Sequence, residues 1–358
     1  MHFFSKLAGL FRPHAEPTTA PAAETQSSPV TATKIMMDPP ANRPPRGPVL
    51  PDDSDRWWRR PPADAKDVPE FDALNNEDVL SDLGVRIAKG ELALPEIPQN
   101  IIRIMQIMND PDFRYEQVAA LVQQSPMLAG DCLKIVNSAA YTGQGGDIAD
   151  LTVALPRLGK RNITSMLYLY SSQHGVAGNP ALDDVAQQIV THSKAVAVVA
   201  RYLGHRFFPD PDIAFFAGLL HDIGKVALLK EFVDNYDLPE TETSLTEDSF
   251  DMIFPALHCS IGAQIAADWS VTESVAGAIE HHHDYLECGF TEETQLTFQL
   301  SALVSLSDTI ARMLGRGRHI GPVDFFLLPA AQELNMALDH ATMEFLDPIE
   351  EMVHAVTT

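Results

Sequence analysis

The stretch Gly218-Leu-Leu-His-Asp-Ile-Gly-Lys225 constrains what this chain can fold into more than any other. It sets an imidazole, a carboxylate and an ammonium inside an otherwise apolar helical run. Such groups tolerate burial only when other elements bring partners, because an isolated buried charge costs several kcal/mol or shifts its pKa. The chain must therefore fold so that further polar side chains reach this point. Those available are His192 upstream and His258, His281, His282, His283 and Asp308 downstream.

The surrounding periodicity is helical. Ile101, Ile102, Met105 and Met108 recur at helical spacing, as do Tyr115, Val118, Ala119 and Val122, then Leu128, Leu133 and Val136. Ser125-Pro126 reads as a helix start, with Ser125 as cap and Pro126 in the first turn. The glycines between Tyr141 and Asp147 make a loop, and helical spacing resumes from Leu151. Strand-like alternation is absent, so the expected class is all-α. One helix carries His192 on the face of Val185, Ile189, Val196, Val199 and Leu203, and another runs from about Asp212 to Leu229 through the His-Asp pair. Asp234 to Asp251 reads as a connecting loop. Further helices carry His258, then His282 or His283, then Asp308, and two more are expected in the last 38 residues.

The first 70 residues hold 13 of the chain's 26 prolines, which prescribes a disordered or polyproline-like leader. Within it, Phe3, Phe4, Leu7, Leu10 and Phe11 share a helical face, and Arg56-Trp-Trp-Arg-Arg60 joins aromatic to basic groups. Either segment suits a membrane surface or a partner's groove. The alternative for both is collapse onto the chain's own acidic body. The 358 residues carry 25 basic against 49 acidic side chains, a formal charge of −24. That balance repels phosphate backbones, so nucleic acid is disfavoured as a partner. Cys132, Cys259 and Cys288 are widely spaced and odd in number, which fits a reducing cytoplasm. They read as core packing, Cys259 being notable as the neighbour of His258. No apolar run reaches membrane-spanning length, and the N-terminus lacks a signal-peptide cleavage site.

A histidine on an apolar helix face is commonly a hydrogen-bonded core residue. Here the pattern recurs on five successive helices, which a bundle would bring to one centre. Imidazole with carboxylate suits iron, manganese, zinc or nickel, and the Asp222 carboxylate could bridge two ions while His221 holds one. Lys225, one turn from His221, could steady a phosphate oxygen. Asn137-Ser138 reads as a turn or capping device rather than a catalytic pair.

In order, His192, His221-Asp222 and Asp308 resemble the HD superfamily of metal-dependent phosphohydrolases. Leu94-Pro95-x-x-Pro98, Asp110-Pro111, Asn137-Ser138-Ala139-Ala140-Tyr141, Ile148-x-x-Leu151 and Leu155-x-x-Leu158-Gly159 narrow the resemblance to the HDOD domain. Gly218 to Lys225, Gly262, Trp269 and His281 to His283 extend it across roughly Leu92 to Leu314. The resemblance implies a two-lobed helical HDOD/HD-type bundle and a bacterial, cytoplasmic signalling or regulatory module that binds a partner protein, with a cyclic dinucleotide as a further ligand. The division expected is a leader over 1–75, an N-terminal lobe over 76–180, an HD-like lobe over 181–320 and a helical extension over 321–358. It also implies one or two divalent ions, iron, manganese or another, on His192, His221, Asp222, His258, His282, His283 and Asp308. This ligand order is similar to that of the HD-GYP phosphodiesterases, but their Gly-Tyr-Pro segment is missing after His283-Asp284. Catalysis is therefore not the leading expectation. Were the chain an enzyme, a phosphohydrolase of cyclic nucleotides or phosphate esters, Asp222 and Lys225 would be its catalytic residues.

Overall fold

The computed structural model describes residues 56–58, 85–86, 99–141, 147–174, 180–235, 257–269, 271–317, 320 and 323–358. The expectations for Phe3 to Phe11 and for most of the loop between Asp234 and Asp251 fall outside these residues. Every regular element among the described residues is helical.

The first lobe comprises α1 (Gln99–Asn109), α2 (Tyr115–Val122), α3 (Pro126–Asn137) and α4 (Leu151–His174). Ile101, Met105 and Met108 bury one face of α1 as the spacing requires, with Ile104 completing it in place of the expected Ile102, which is only half-buried. Ser125 takes the extended cap conformation before Pro126, but its hydroxyl makes no cap bond. It donates instead to Tyr170 Oη at 2.7 Å, tying α3 to α4. Asn137 is structural: its amide donates to the Ile148 carbonyl and accepts from the Ile148 N–H, both at 2.8 Å, and so closes the glycine loop. Inside α4, Gly159 takes φ 77°, a conformation glycine adopts without penalty, and the helix breaks there.

The second lobe comprises α5 (Pro180–Phe207), α6 (Pro211–Leu220), α7 (Ile223–Asn235), α8 (Leu257–Asp268), α9 (Glu273–His281) and α10 (Gln295–Met313). Asp210 caps α6, its side chain accepting from Asp212 N and Ile213 N. The single helix expected from Asp212 to Leu229 is two, because α6 ends at Leu220 and α7 begins at Ile223. Consecutive residues of one continuous helix point about 100° apart. The junction lets His221 and Asp222 face the same centre. Three glycines then let backbones approach. A Cβ on Gly218 would come within 3.1 Å of Ala197 Cα, on Gly224 within 2.0 Å of the His258 carbonyl oxygen, and on Gly262 within 2.7 Å of Ile279 Cγ2. The Tyr168 and Trp269 rings stack at 3.8 Å and join the lobes.

The C-terminal extension holds three short α-helices rather than two: α11 (Pro329–Glu333), α12 (His340–Leu346) and α13 (Ile349–Thr357). Trp57 and Trp58 lie against this extension, 3% and 1% exposed. Trp57 Nε1 donates to the Leu346 carbonyl at 3.2 Å, its ring meets Phe325 edge-on, and Arg56 pairs with Asp347. Burying two indoles removes a large apolar area from water, and an acidic body attracts the flanking arginine. Of the two readings of this segment, Trp57 and Trp58 thus follow the second, collapse onto the chain's own body, as an intramolecular clasp.

Candidate metal centre

Of the polar residues expected from the sequence, all but His281 reach one centre. His192 comes from the middle of α5, His221 and Asp222 from the α6–α7 junction, and Lys225 from the first turn of α7. His258 opens α8, His282 and His283 follow the last turn of α9, and Asp308 lies on α10. His192, His221, Asp222, Lys225, His258, His282 and Asp308 are at most 4% exposed. His283 is exposed at the rim, yet its Nε2 points inward to within 3.2 Å of His258 Nε2. His281 turns away toward Glu280, so the choice among the three histidines falls on His282 and His283.

One device orients three of the imidazoles. Nδ1 lies 2.9 Å from the Arg316 carbonyl in His192, 2.8 Å from the Gly218 carbonyl in His221 and 2.7 Å from the Ile279 carbonyl in His282. A carbonyl only accepts, so each Nδ1 donates and each Nε2 is left facing the centre. Such backbone bonds are the usual means of fixing the tautomer of a ligating histidine.

The Nε2 atoms converge on the two oxygens of Asp222. Oδ2 lies 3.2 Å from His221 Nε2, 3.6 Å from His192 Nε2 and 2.7 Å from Lys225 Nζ. Oδ1 lies 3.4 Å from His258 Nε2 and 3.6 Å from His282 Nε2. Despite these neighbours, neither buried oxygen has a donor in hydrogen-bond geometry. Asp308 joins the first group, its Oδ1 3.0 Å from His192 Nε2 and held by Arg312 Nε at 2.8 Å. The donors thus fall into two groups sharing Asp222: His192, His221 and Asp308 on one side, His258, His282 and His283 on the other.

The electrostatics follow from burial and from these contacts. Burial pushes the Asp222 carboxyl up, but His221 and Lys225 outweigh it and hold the group well below the usual carboxylate range. Asp308 follows the same pattern, with Arg312 and His192 opposing burial. Burial brings His221 down to about 4, against the pull of Asp222. Burial also opposes the charged form of His282, but Cys259 and Asp222 carry it up to about 10. Burial lowers His283, and His282 lowers it further. Burial raises the Cys259 thiol, yet His282 and His258 bring it to about 6. The centre is therefore a charge-compensated cluster in which His282 favours its proton, and a divalent cation would compete for the same lone pairs.

Two contributors escaped the sequence reading, and a third, Cys259, was expected mainly as core packing. Arg312 secures Asp308 from one turn away, a spacing legible in hindsight. The Arg316 carbonyl orients His192 beside Gly317, whose φ of 103° and missing Cβ permit that approach. Cys259 points into the second group rather than simply into the core, its Sγ 3.5 Å from His258 Nε2. His205 is exposed against Arg201, away from the centre.

Fold and centre together define a class: a two-lobed helical protein with a His/Asp cluster built around a His-Asp pair at a helix junction. Residues 94–285, more than half of the chain, match the HDOD domain, and the chain belongs to the HDOD family. Among solved structures it is similar to an HDOD domain protein of unknown function from Geobacter sulfurreducens, with 22% identity, 78% of this chain and 98% of that one covered, and a TM-score of 0.50. It is also similar to a protein from Shewanella amazonensis SB2B described as a "Putative metal-dependent phosphohydrolase", with 18% identity, 78% and 98% coverage and a TM-score of 0.53. At these identities the likeness is one of fold. An uncharacterized protein of Treponema pallidum (strain Nichols) is 27% identical over 203 residues, 53% of this chain. The match spans 38% of that protein's length. No helix among the described residues is long and apolar enough to cross a membrane.

Proposed function

We propose that this chain is a regulatory, signal-transducing HDOD protein whose second lobe holds one or two divalent cations around Asp222. The observation that carries this is the set of Nε2 atoms turned inward by backbone carbonyls toward the buried Asp222 carboxylate, whose Oδ1 has no donor in hydrogen-bond geometry. Facing lone pairs 3.2 Å apart, as between His192 and His221, repel unless a proton or a metal ion lies between them. The donors fit. His192, His221, Asp222 and Asp308 would hold one ion, and His258, His282, His283 and Asp222 the other. Imidazole with carboxylate suits iron, manganese or zinc. When bound, such ions supply Lewis acidity toward phosphate oxygens and activate water. The burial of nearly every donor suits a cation held inside a binding module that works through a protein partner.

A second reading, hydrolysis of a phosphate ester or cyclic dinucleotide, is favoured by one observation, the Lys225 ammonium 2.7 Å from Asp222 Oδ2. In that reading Asp222 positions the reacting groups and Lys225 steadies the phosphate.

The deciding experiment is elemental analysis of protein purified without chelators, beside an Asp222→Ala variant. Retention of about one to two ions per chain, lost in the variant, is expected for ions sharing one carboxylate. Protein that stays metal-free after anaerobic purification with added iron and manganese refutes the metal centre. Turnover of a phosphodiester panel by the loaded protein, abolished in Lys225→Ala, would move the conclusion to the second reading.

A further inference from the structure

The second donor group contains an atom that the imidazole and carboxylate pattern does not supply. Cys259 follows His258 on α8 and is 6% exposed. Its Sγ lies 3.5 Å from His258 Nε2 and 3.9 Å from His282 Nδ1. The donor atoms offered by His258, Cys259, His282 and His283 all lie within 4.8 Å of one another. An independent feature points to a cation here: Asp222 Oδ1, fully buried and without a hydrogen-bond donor, faces the same His258 nitrogen at 3.4 Å.

The spacing can be compared with what an ion requires. Metal–nitrogen bonds of about 2.0–2.1 Å and metal–sulfur bonds of about 2.3 Å, set tetrahedrally, separate two nitrogens by about 3.4 Å and nitrogen from sulfur by about 3.6 Å. His283 and His258 Nε2 lie 3.2 Å apart, His258 and His282 Nε2 3.4 Å apart, and His258 Nε2 and Cys259 Sγ 3.5 Å apart. These three edges, which meet at His258 Nε2, match metal-site spacing, and the sulfur also reaches the His282 ring, 3.9 Å from its Nδ1.

We propose that Cys259 is a sulfur ligand of the second half-site, which is thus a mixed imidazole–thiolate site for zinc, cobalt or ferrous iron. The proposal rests on the metal-centre reading above and deepens it. The thiol proton passes to solvent as the metal–sulfur bond forms. The first half-site offers two imidazoles and two carboxylates, so the two positions differ in softness. Manganese or magnesium suits the first better than the second.

The test is anaerobic titration of the full chain with cobalt(II), under a reductant that contains no thiol, followed by absorption. The expected result is a near-ultraviolet thiolate-to-cobalt charge-transfer band. It disappears in Cys259→Ser and Cys259→Ala, while the visible bands of imidazole-bound cobalt persist. Zinc affinity should fall by at least about tenfold in both variants, the loss that even an outer-shell partner produces, with manganese affinity unchanged. Serine preserves the shape of the site, and matching thermal unfolding of that variant would exclude misfolding as the cause. Cobalt that binds without the band overturns the role of Cys259 and leaves the metal centre standing. So does a band that survives both substitutions, which would come from Cys132 or Cys288. Failure to bind cobalt at all overturns both.

Discussion

Gly224 sits two residues after the central aspartate, and Gly224→Ala tests whether the close approach of α7 and α8 builds the site. A Cβ there would lie 2.0 Å from the His258 carbonyl oxygen, 2.8 Å from its carbon and 2.9 Å from Gly262 N. Ordinary contact begins near 3.4 Å, so α8 must retreat by about 1.4 Å. Every obstructing atom is backbone, and no rotamer change relieves the clash. Overpacking of this kind costs about 1–3 kcal/mol, and a backbone obstacle argues for the upper end. Three kcal/mol corresponds to a Tm lowered by about 6–10 °C in a body of this size. The retreat also carries His258 away from Asp222 Oδ1, now 3.4 Å distant, so under the proposed metal-centre reading the second half-site should lose its ion while the first keeps one. Gly130→Ala on α3 is the control. Nothing lies within 4 Å of a Cβ there, and exchanging a helical glycine for alanine should stabilise by up to about 1 kcal/mol. Differential scanning calorimetry and elemental analysis of the two variants suffice. A Gly224→Ala protein with unchanged Tm and metal content would refute the account of how α7 and α8 meet.

Three further outcomes follow from the geometry. Trp58→Ala should destabilise by about 3–5 kcal/mol in urea unfolding, because the indole is 1% exposed; a loss below 1 kcal/mol would mean that Trp58 is not part of the folded body. Gly317→Ala places a Cβ 2.5 Å from His192 Nδ1 at φ 103° and should cost about 1–3 kcal/mol, with loss of the first half-site's ion; retention of both ions would contradict the stated role of the Arg316 carbonyl. Asp339 caps α12, and the Thr342 backbone N–H, to which it is bonded, lowers its pKa. A depressed folded pKa gives stability that is fully present above the unfolded value of about 3.9 and lost as pH falls through the folded one. The acid limb of stability should therefore flatten in Asp339→Asn, and an identical limb would remove the cap from the account.

The helices and most of the donors were legible because their signals are local. The period of Ile101, Met105 and Met108 determines a buried face whatever lies opposite, and His192 shares a stripe with Val185 and Val196. The break at His221-Asp222 was illegible because helical spacing runs through it, from Leu219 and Leu220 to Val226 and Leu229. Only Gly224 marks the place, and its role depends on a backbone 34 residues away in sequence, that of His258. For Trp57 and Trp58 the choice between partner surface and the chain's own body was illegible for a related reason. A proline-rich stretch has no local periodicity, and what buries these rings lies near Phe325 and Leu346. Ser125 illustrates the limit of capping rules: its backbone obeys them, while its hydroxyl goes to Tyr170, which no local pattern predicts.

If the chain is the regulatory module proposed above, the charges of the centre bear on why it would keep such a site. Each carboxylate already has a cation of the chain's own: Lys225 lies 2.7 Å from Asp222 and Arg312 lies 2.8 Å from Asp308. A buried carboxylate left unpaired would cost several kcal/mol. These two pairs compensate both carboxylates before any metal ion arrives, and the raised proton affinity of His282 adds a further positive charge beside Asp222 and Cys259. In a zinc finger, by contrast, the binding energy of the ion is the folding energy. Here the apolar contacts of α5, α6 and α10 hold the helices together around a compensated cluster. Under the proposed reading, occupancy can then vary with cation supply and pH while the fold persists. A centre whose loading changes without unfolding its scaffold suits transmission of a signal better than simple structural support.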